Sequence, residues 1–257
     1  MFANTKFQFI QFHIPKTAGS NIKRNLFTLA KDILTQAGWD KDDLMDVDEW
    51  IVQPDDSIPW HTIGIPDHDP IYHVGSAARS YLIEIIGTRA FDKYLKFASI
   101  RNPFDRIASA FDHMNYNEHI AQGFKEWVHK TLSLNIDSIQ IDNFELFVKF
   151  LYDGDKAGFL LPLFFKPQTE WFTDMEGNKN IDIVICYENL QEDYEKVCDL
   201  VGYPKTILPY SDVKFHESAK RHYSKYFIDN EGCEEMVKWL YKHDFEQLGY
   251  DTKLTYS

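Results

Sequence analysis

Phe7-Gln8-Phe9-Ile10-Gln11-Phe12-His13-Ile14-Pro15-Lys16-Thr17-Ala18-Gly19-Ser20-Asn21 runs from a dense apolar strand, Phe7 to Ile14, through a short turn into an amphipathic helix. A strand that feeds a helix N-terminus gathers backbone N–H groups without intrahelical partners at the positive end of the helix dipole. An anion such as phosphate suits that place. Gly19 allows close backbone approach, Ser20 and Asn21 offer capping or hydrogen-bonding groups, and Lys16 adds a mobile cation. The pattern is not Gly-x-x-x-x-Gly-Lys, because Lys16 precedes Gly19. Taken alone, the stretch reads equally as an ordinary strand-to-helix turn with a surface lysine.

A second stretch bears on that choice. Phe97-Ala98-Ser99-Ile100-Arg101-Asn102-Pro103-Phe104-Asp105-Arg106-Ile107-Ala108-Ser109 predicts a short strand from Leu95 to Ile100 with Arg101 at its carboxyl end. Pro103, whose fixed φ suits a first turn, then starts a helix. Arg106 and Ser109 stand three apart and are expected to share a helix face, so that Arg101 and Ser109 could hold a second phosphate. Arg-x-Pro-x-x-Arg alone also fits a capping and ion-pair arrangement.

Together the two stretches resemble the sulfotransferases that use 3′-phosphoadenosine 5′-phosphosulfate (PAPS), in particular the membrane-type carbohydrate sulfotransferase family 2 and its soluble bacterial relatives. His13 to Ser20 is similar to that family's 5′-phosphosulfate loop, and Arg101-Asn102-Pro103 through Arg106 and Ser109 is similar to its 3′-phosphate motif. The likeness continues through Pro167-Gln168-Thr169-Glu170, Tyr187-Glu188-Asn189-Leu190 and the run from Leu208-Pro209 past His222-Tyr223 to Leu248-Gly249-Tyr250. It implies sulfo transfer from PAPS to a hydroxyl, most simply on a carbohydrate, with release of adenosine 3′,5′-bisphosphate (PAP) and no metal. By the same likeness Pro15, Lys16, Thr17, Ala18, Gly19, Ser20, Asn21, Arg101, Ser109, Lys220, Arg221 and Tyr223 hold the nucleotide. Lys16 doubles as the catalytic cation. His73 stands in a segment like the histidine-bearing one that precedes the family's 3′-phosphate motif, and is the first choice of base. His13, His61, His68, Glu84, Asp112 and His113 compete for that role. Two departures, Cys186 where many relatives have arginine and Ala18 in place of a common glycine, keep a catalytically inactive nucleotide- or glycan-binding module open. A P-loop-type kinase or nucleotide hydrolase is the other alternative; it would need a Mg²⁺-supporting hydroxyl and carboxylate.

The chain of 257 residues is long enough for one good-sized core, and one domain is expected. Hydrophobic residues make up 44% and charged ones 26%, which excludes wholesale disorder. A net charge of -13 argues against broad binding to nucleic acid or anionic membrane, so a polyanionic cosubstrate must be caught by a local basic pocket. One basic island, Lys214 to Tyr226 within residues 208–228, fits a segment closing over the nucleotide, or else a solvated loop. Cys186, Cys198 and Cys233 lack metal-ligand spacing and read as buried, reduced thiols. No run of about 18 apolar residues suggests a membrane span. Animal members of the resembled family carry an anchor, so this chain is expected to be a cytoplasmic, bacterial-type member.

Along the chain, Ile22, Leu26, Ala30, Ile33, Leu34 and Ala37 recur at helical spacing. Residues 39–72, acidic and then rich in Pro, Asp and His, form a candidate acceptor-side loop carrying Trp39, Trp50 and Trp60. Helices are predicted from Ser76 to Arg89, Phe124 to Leu132, Asn143 to Tyr152, Leu190 to Val201 and Cys233 to Leu248. Ile181 to Tyr187, rich in β-branched residues, reads as an interior strand. Alternating strands and helices predict a three-layer, P-loop-like α/β fold: a central, mainly parallel sheet flanked by helices, with the site outside the strands' carboxyl ends.

Overall fold

The computed structural model describes residues 2–36, 62–64, 83–84, 86–173, 178–208, 222–228, 230 and 232–254. Its strands are β1 (Phe2–Asn4), β2 (Phe9–Phe12), β3 (Thr62–Gly64), β4 (Leu95–Ile100) and β5 (Ile183–Cys186). Its helices are α1 (Gly19–Gln36), α2 (Thr88–Lys93), α3 (Pro103–Tyr116), α4 (Glu118–Leu132), α5 (Phe144–Lys156), α6 (Leu190–Val201), α7 (Lys225–Ile228), α8 (Cys233–Leu240) and α9 (Lys242–Leu248). Two compact units contain them: Met1–Ile100 with Glu170–Asp212, and Arg101–Thr169 with Val213–Ser257.

The first unit holds the sheet, in the order β3-β1-β2-β4-β5. β2, β4 and β5 run parallel, with Phe12 beside Ala98 and Ile100 beside Cys186, whereas β1 is antiparallel to both β2 and β3. The sheet is therefore mainly parallel, as the alternation of strands and helices predicts. One face is covered by α1 and α6: Phe2, Phe9, Phe97 and Ile185 meet Ile22, Leu26, Tyr194, Val197 and Cys198 in one cluster. Ile22, Leu26 and Ala30 all lie inward on α1, one helical turn apart. Burying each large aliphatic or aromatic side chain of this kind contributes roughly 1.5–3 kcal/mol. After α6 the chain is held back onto that layer: Thr206 donates to the Asn25 side chain at 2.7 Å, and the Tyr203 hydroxyl donates to the Leu26 carbonyl at 2.6 Å.

The second unit is helical, and its core is aromatic. Phe104, Phe111, Phe124, Phe144, Phe147, Phe165, Phe227 and Phe245 share one cluster with α8 and α9. Edge-to-face pairs dominate, such as Phe104 with Phe227 at 5.3 Å and Phe124 with Phe165 at 5.4 Å. Gly154 sets the α4–α5 approach, because a Cβ there would fall 2.3 Å from Trp127 Cη2. That ring is further held by its Nε1 donating to the Leu160 carbonyl at 2.9 Å. Gly154→Ala is thus expected to destabilise by about 1–2 kcal/mol, overpacking outweighing the gain in helix propensity, and denaturant unfolding should read it.

Several expectations are corrected. The apolar stretch from Phe7 is only the second strand; β1, too short to show a period, precedes it and folds back through a turn at Gln8, φ 53°. Gly87, at φ 81°, interrupts the helix expected to run through Arg89, and α2 starts after it. α5 continues through Gly154 to Lys156. The last helix is two, α8 and α9, separated at Tyr241. β5 is an edge strand among the described residues, and only Ile185 in it is fully buried. Cys186 is half-buried, unlike Cys198 and Cys233, and burial pushes the Cys233 thiol up to about 12. Residues 39–61 and 65–72 lie outside the described residues.

Candidate active site

In the first unit, β2 runs out at Phe12, and residues 13 to 18 turn the chain into α1. Lys16 and Ala18 sit at φ 67° and 69°, in the left-handed region that L-residues seldom occupy. Such backbone persists where its surroundings hold it, and the side chains of Thr17, Gln11 and His13 hold this turn. The Thr17 hydroxyl, wholly buried, donates to the Ile14 carbonyl at 2.9 Å and lies 2.9 Å from the Ser99 hydroxyl of β4. Gln11 of β2, also wholly buried, donates to the Gly19 carbonyl at 3.3 Å. His13 Nε2 is 3.1 Å from the Ser20 hydroxyl.

Gly19 is needed for that last contact. A Cβ there would lie 2.4 Å from His13 Cδ2. The residue before α1 is Ala18, which carries no capping oxygen, and the first turn of α1 has no acidic residue. In contrast, α3 and α4 are capped by Asn102 and Asn117 side chains and carry Asp105 and Glu118 in their first turns. The head of α1 therefore keeps its positive dipole end uncompensated by carboxylates of its own first turn. Lys16 is half-buried beside it and Ser20 is exposed. Thr17 differs from its neighbours in that its hydroxyl serves the fold; its backbone is what it can turn toward an anion.

The second unit begins at Arg101, the residue after β4. As the sequence predicts, Pro103 opens α3, and the Asn102 side chain caps it by accepting from the Phe104 N–H at 2.9 Å. Arg101 Nε donates to Asp105 Oδ2 at 2.7 Å. The backbone of Arg101 is gripped by Gln168: its N–H donates to Gln168 Oε1 at 2.9 Å, and Gln168 Nε2 donates to its carbonyl at 2.8 Å. Ser109 is half-buried.

Arg106, the second cation of this motif, is buried rather than exposed. It is only 2% exposed; its guanidinium donates to the Phe164 carbonyl at 3.4 Å and lies over the Tyr241 ring at 5.7 Å. Ser109, about 60° away round the helix, is half-buried.

Pro15 to Asn21 thus form one continuous turn and helix start, while Arg101 and Ser109 belong to the entry and second turn of α3. Tyr223 stands in the turn before α7, its ring 4.3 Å from that of His222. His73, Lys220 and Arg221 lie outside the described residues, as do His61 and His68. Of the other candidate bases, Glu84 is exposed, Asp112 accepts from the Tyr226 hydroxyl at 2.5 Å, and His113 stacks on Phe164 with ring centres 5.5 Å apart. Among the described residues no group of three or more His, Cys, Asp or Glu is arranged to hold a metal ion, and no helix is long and apolar enough to cross a membrane.

Sequence reasoning missed Asp244. It is wholly buried and accepts from the Gln168 N–H at 2.8 Å, the Thr169 N–H at 2.9 Å and the Thr169 hydroxyl at 3.0 Å. Burial pushes its carboxyl up, while the Arg106 charge and these donors pull it down. A signal was present: Val237, Leu240, Tyr241, Asp244 and Phe245 follow one helical stripe, so a lone acid stands where apolar residues belong.

No curated protein and no solved structure matches the chain. A family model does, over residues 1–251, and its span takes in the turn before α1, the entry to α3 and the Gln168–Asp244 network alike; its description is the sulfotransferase family, and the chain belongs to it.

Proposed function

We propose that the protein transfers the sulfo group of PAPS to a hydroxyl, most simply on a carbohydrate, and releases PAP. Membership of the sulfotransferase family supports transfer of a sulfo group. The observation that carries the donor assignment is the turn before α1, where left-handed backbone, an acid-free first helical turn and Lys16 together suit a phosphosulfate. By family resemblance, Pro15 to Asn21 are assigned to the 5′ end of the nucleotide, Arg101 and Ser109 to its 3′-phosphate, and Lys220, Arg221 and Tyr223 to closure.

In the reaction the acceptor oxygen attacks sulfur in line with the bridging oxygen. A new S–O bond forms as the S–O bond to phosphate breaks, the acceptor's proton goes to a base, and the electron pair stays on PAP. Negative charge grows on the bridging oxygen, where Lys16 and the N–H groups at the head of α1 strengthen their hold. His73 is assigned the base role on family resemblance; an unperturbed imidazole, with a pKa of about 6.5, suits proton transfer near neutral pH.

The test is binding of PAP followed by turnover of PAPS with a panel of glycans and simple alcohols. At a hundredfold excess over its dissociation constant, PAP should stabilise by about 2.7 kcal/mol, roughly 5–10 °C in Tm. No shift and no sulfated product would overturn the proposal. Gly19→Ala should weaken PAP by about tenfold or more, because the methyl group displaces the His13 ring from Ser20; calorimetry reads it directly.

A further inference from the structure

We infer that Gln168 is a positioning residue for Arg101, backed by Asp244, and that this pair confers preference for a nucleotide bearing a 3′-phosphate. The inference rests on the assignment of Arg101 to that phosphate.

Gln168 is wholly buried and uses both ends of its amide on one residue. Arg101 N–H donates to Oε1 at 2.9 Å and Nε2 donates to the Arg101 carbonyl at 2.8 Å, which closes a two-bond ring like a rung of antiparallel sheet. Two such bonds fix the peptide on both sides of the Arg101 Cα, so the direction in which its side chain leaves the backbone is set.

The amide is itself oriented. Gln168 Nε2 is 3.3 Å from Asp244 Oδ2, and the Gln168 N–H donates to that same oxygen at 2.8 Å. Because a carboxylate oxygen accepts only, it selects the amide orientation with nitrogen toward Asp244 and the Arg101 carbonyl and oxygen toward the Arg101 N–H. Thr169 saturates the other oxygen, Oδ1, through its N–H at 2.9 Å and its hydroxyl at 3.0 Å. At the outer end, Asp105 Oδ2 holds Arg101 Nε at 2.7 Å and so sets the plane of the guanidinium.

The arginine is thus clamped at its backbone by Gln168 and at its Nε by Asp105. A planar, bidentate donor recognises a phosphate only when its plane is placed, and ordering it in advance lowers the entropic cost of binding.

The experiment compares PAP with adenosine 5′-monophosphate, which differs only by the 3′-phosphate, using calorimetry on the full chain. In Gln168→Met, affinity for PAP should fall about 10- to 100-fold, the scale of one charge-assisted contact, while affinity for the monophosphate changes by less than about threefold. Thr169→Val removes a hydroxyl bond to Asp244 without touching Arg101, and should leave the preference intact. Gln168→Glu keeps the acceptor for the Arg101 N–H but sets an oxygen against its carbonyl; it should lose the preference likewise and serves where the methionine variant does not fold. Equal weakening of both nucleotides, or loss of the preference in Thr169→Val as well, would overturn the inference. If the unmodified protein binds PAP no better than the monophosphate, the assignment of Arg101 to a 3′-phosphate fails first, and the positioning role with it.

Discussion

Lys16→Ala is expected to lower sulfo transfer by about 10²- to 10³-fold in a protein that still folds. The magnitude is that of removing one charged or N–H donor from the place where negative charge develops in a transition state. The second half of the expectation comes from the structure. Lys16 is half-buried in a turn that the side chains of Thr17, Gln11 and His13 hold in place: Thr17 to Ile14 and Ser99, Gln11 to Gly19, and His13 to Ser20. Alanine can occupy the φ of 67° no less readily than lysine, so the backbone keeps its path.

Lys16→Arg should recover little of the loss. A guanidinium carries the charge but spreads it over a planar fork, whereas a bridging oxygen calls for a compact charge. Steady-state turnover with PAPS, beside a thermal melt of each variant, separates chemistry from folding. An alanine variant within a few-fold of the starting rate would remove Lys16 from the mechanism.

What made this turn legible in the sequence is that its chemistry is local. Strand, bend and helix start follow one another within about fifteen residues, and each leaves a mark: an apolar run, then Pro and Gly, then helical spacing. The entry to α3 is legible for the same reason, with Pro103 at the first turn and Asn102 as cap, as is the end of α6 at Gly202, which adopts φ 70°. Local signals say little about which residues meet across the fold. Arg106 reads as a surface cation until Phe164, Tyr241 and Asp244, 58 to 138 positions later in the chain, close around it. Ile181 to Tyr187 has the composition of an interior strand, yet among the described residues only β4 pairs with its strand Ile183–Cys186. β1 escapes because three residues cannot display a period of two against the apolar background around them. Gln168 came to notice only through family resemblance; that its amide grips Arg101 is a contact over 67 positions.

Asp244→Asn is expected to cost about 3–5 kcal/mol, even though it changes one atom. Each carboxyl oxygen accepts from a backbone N–H, Oδ1 from Thr169 at 2.9 Å and Oδ2 from Gln168 at 2.8 Å. An asparagine amide has a single acceptor end. Whichever way it is turned, its NH₂ faces a backbone donor in a site with no exposure to water, and one N–H is left without an acceptor. The Arg106 guanidinium, 2% exposed, loses the charge that offsets its own burial, and removal of one partner from such a pair carries most of the expected cost. For a chain of this size the loss corresponds to a fall of roughly 6–20 °C in Tm. Asp244→Glu should not restore it, since the extra methylene pushes the carboxyl into the turn at Gln168 and Thr169. A melt of Asp244→Asn within about 2 °C of the starting protein would mean that the network around residues 168 and 169 is dispensable, and that α9 is held by Phe245 and its aromatic neighbours alone.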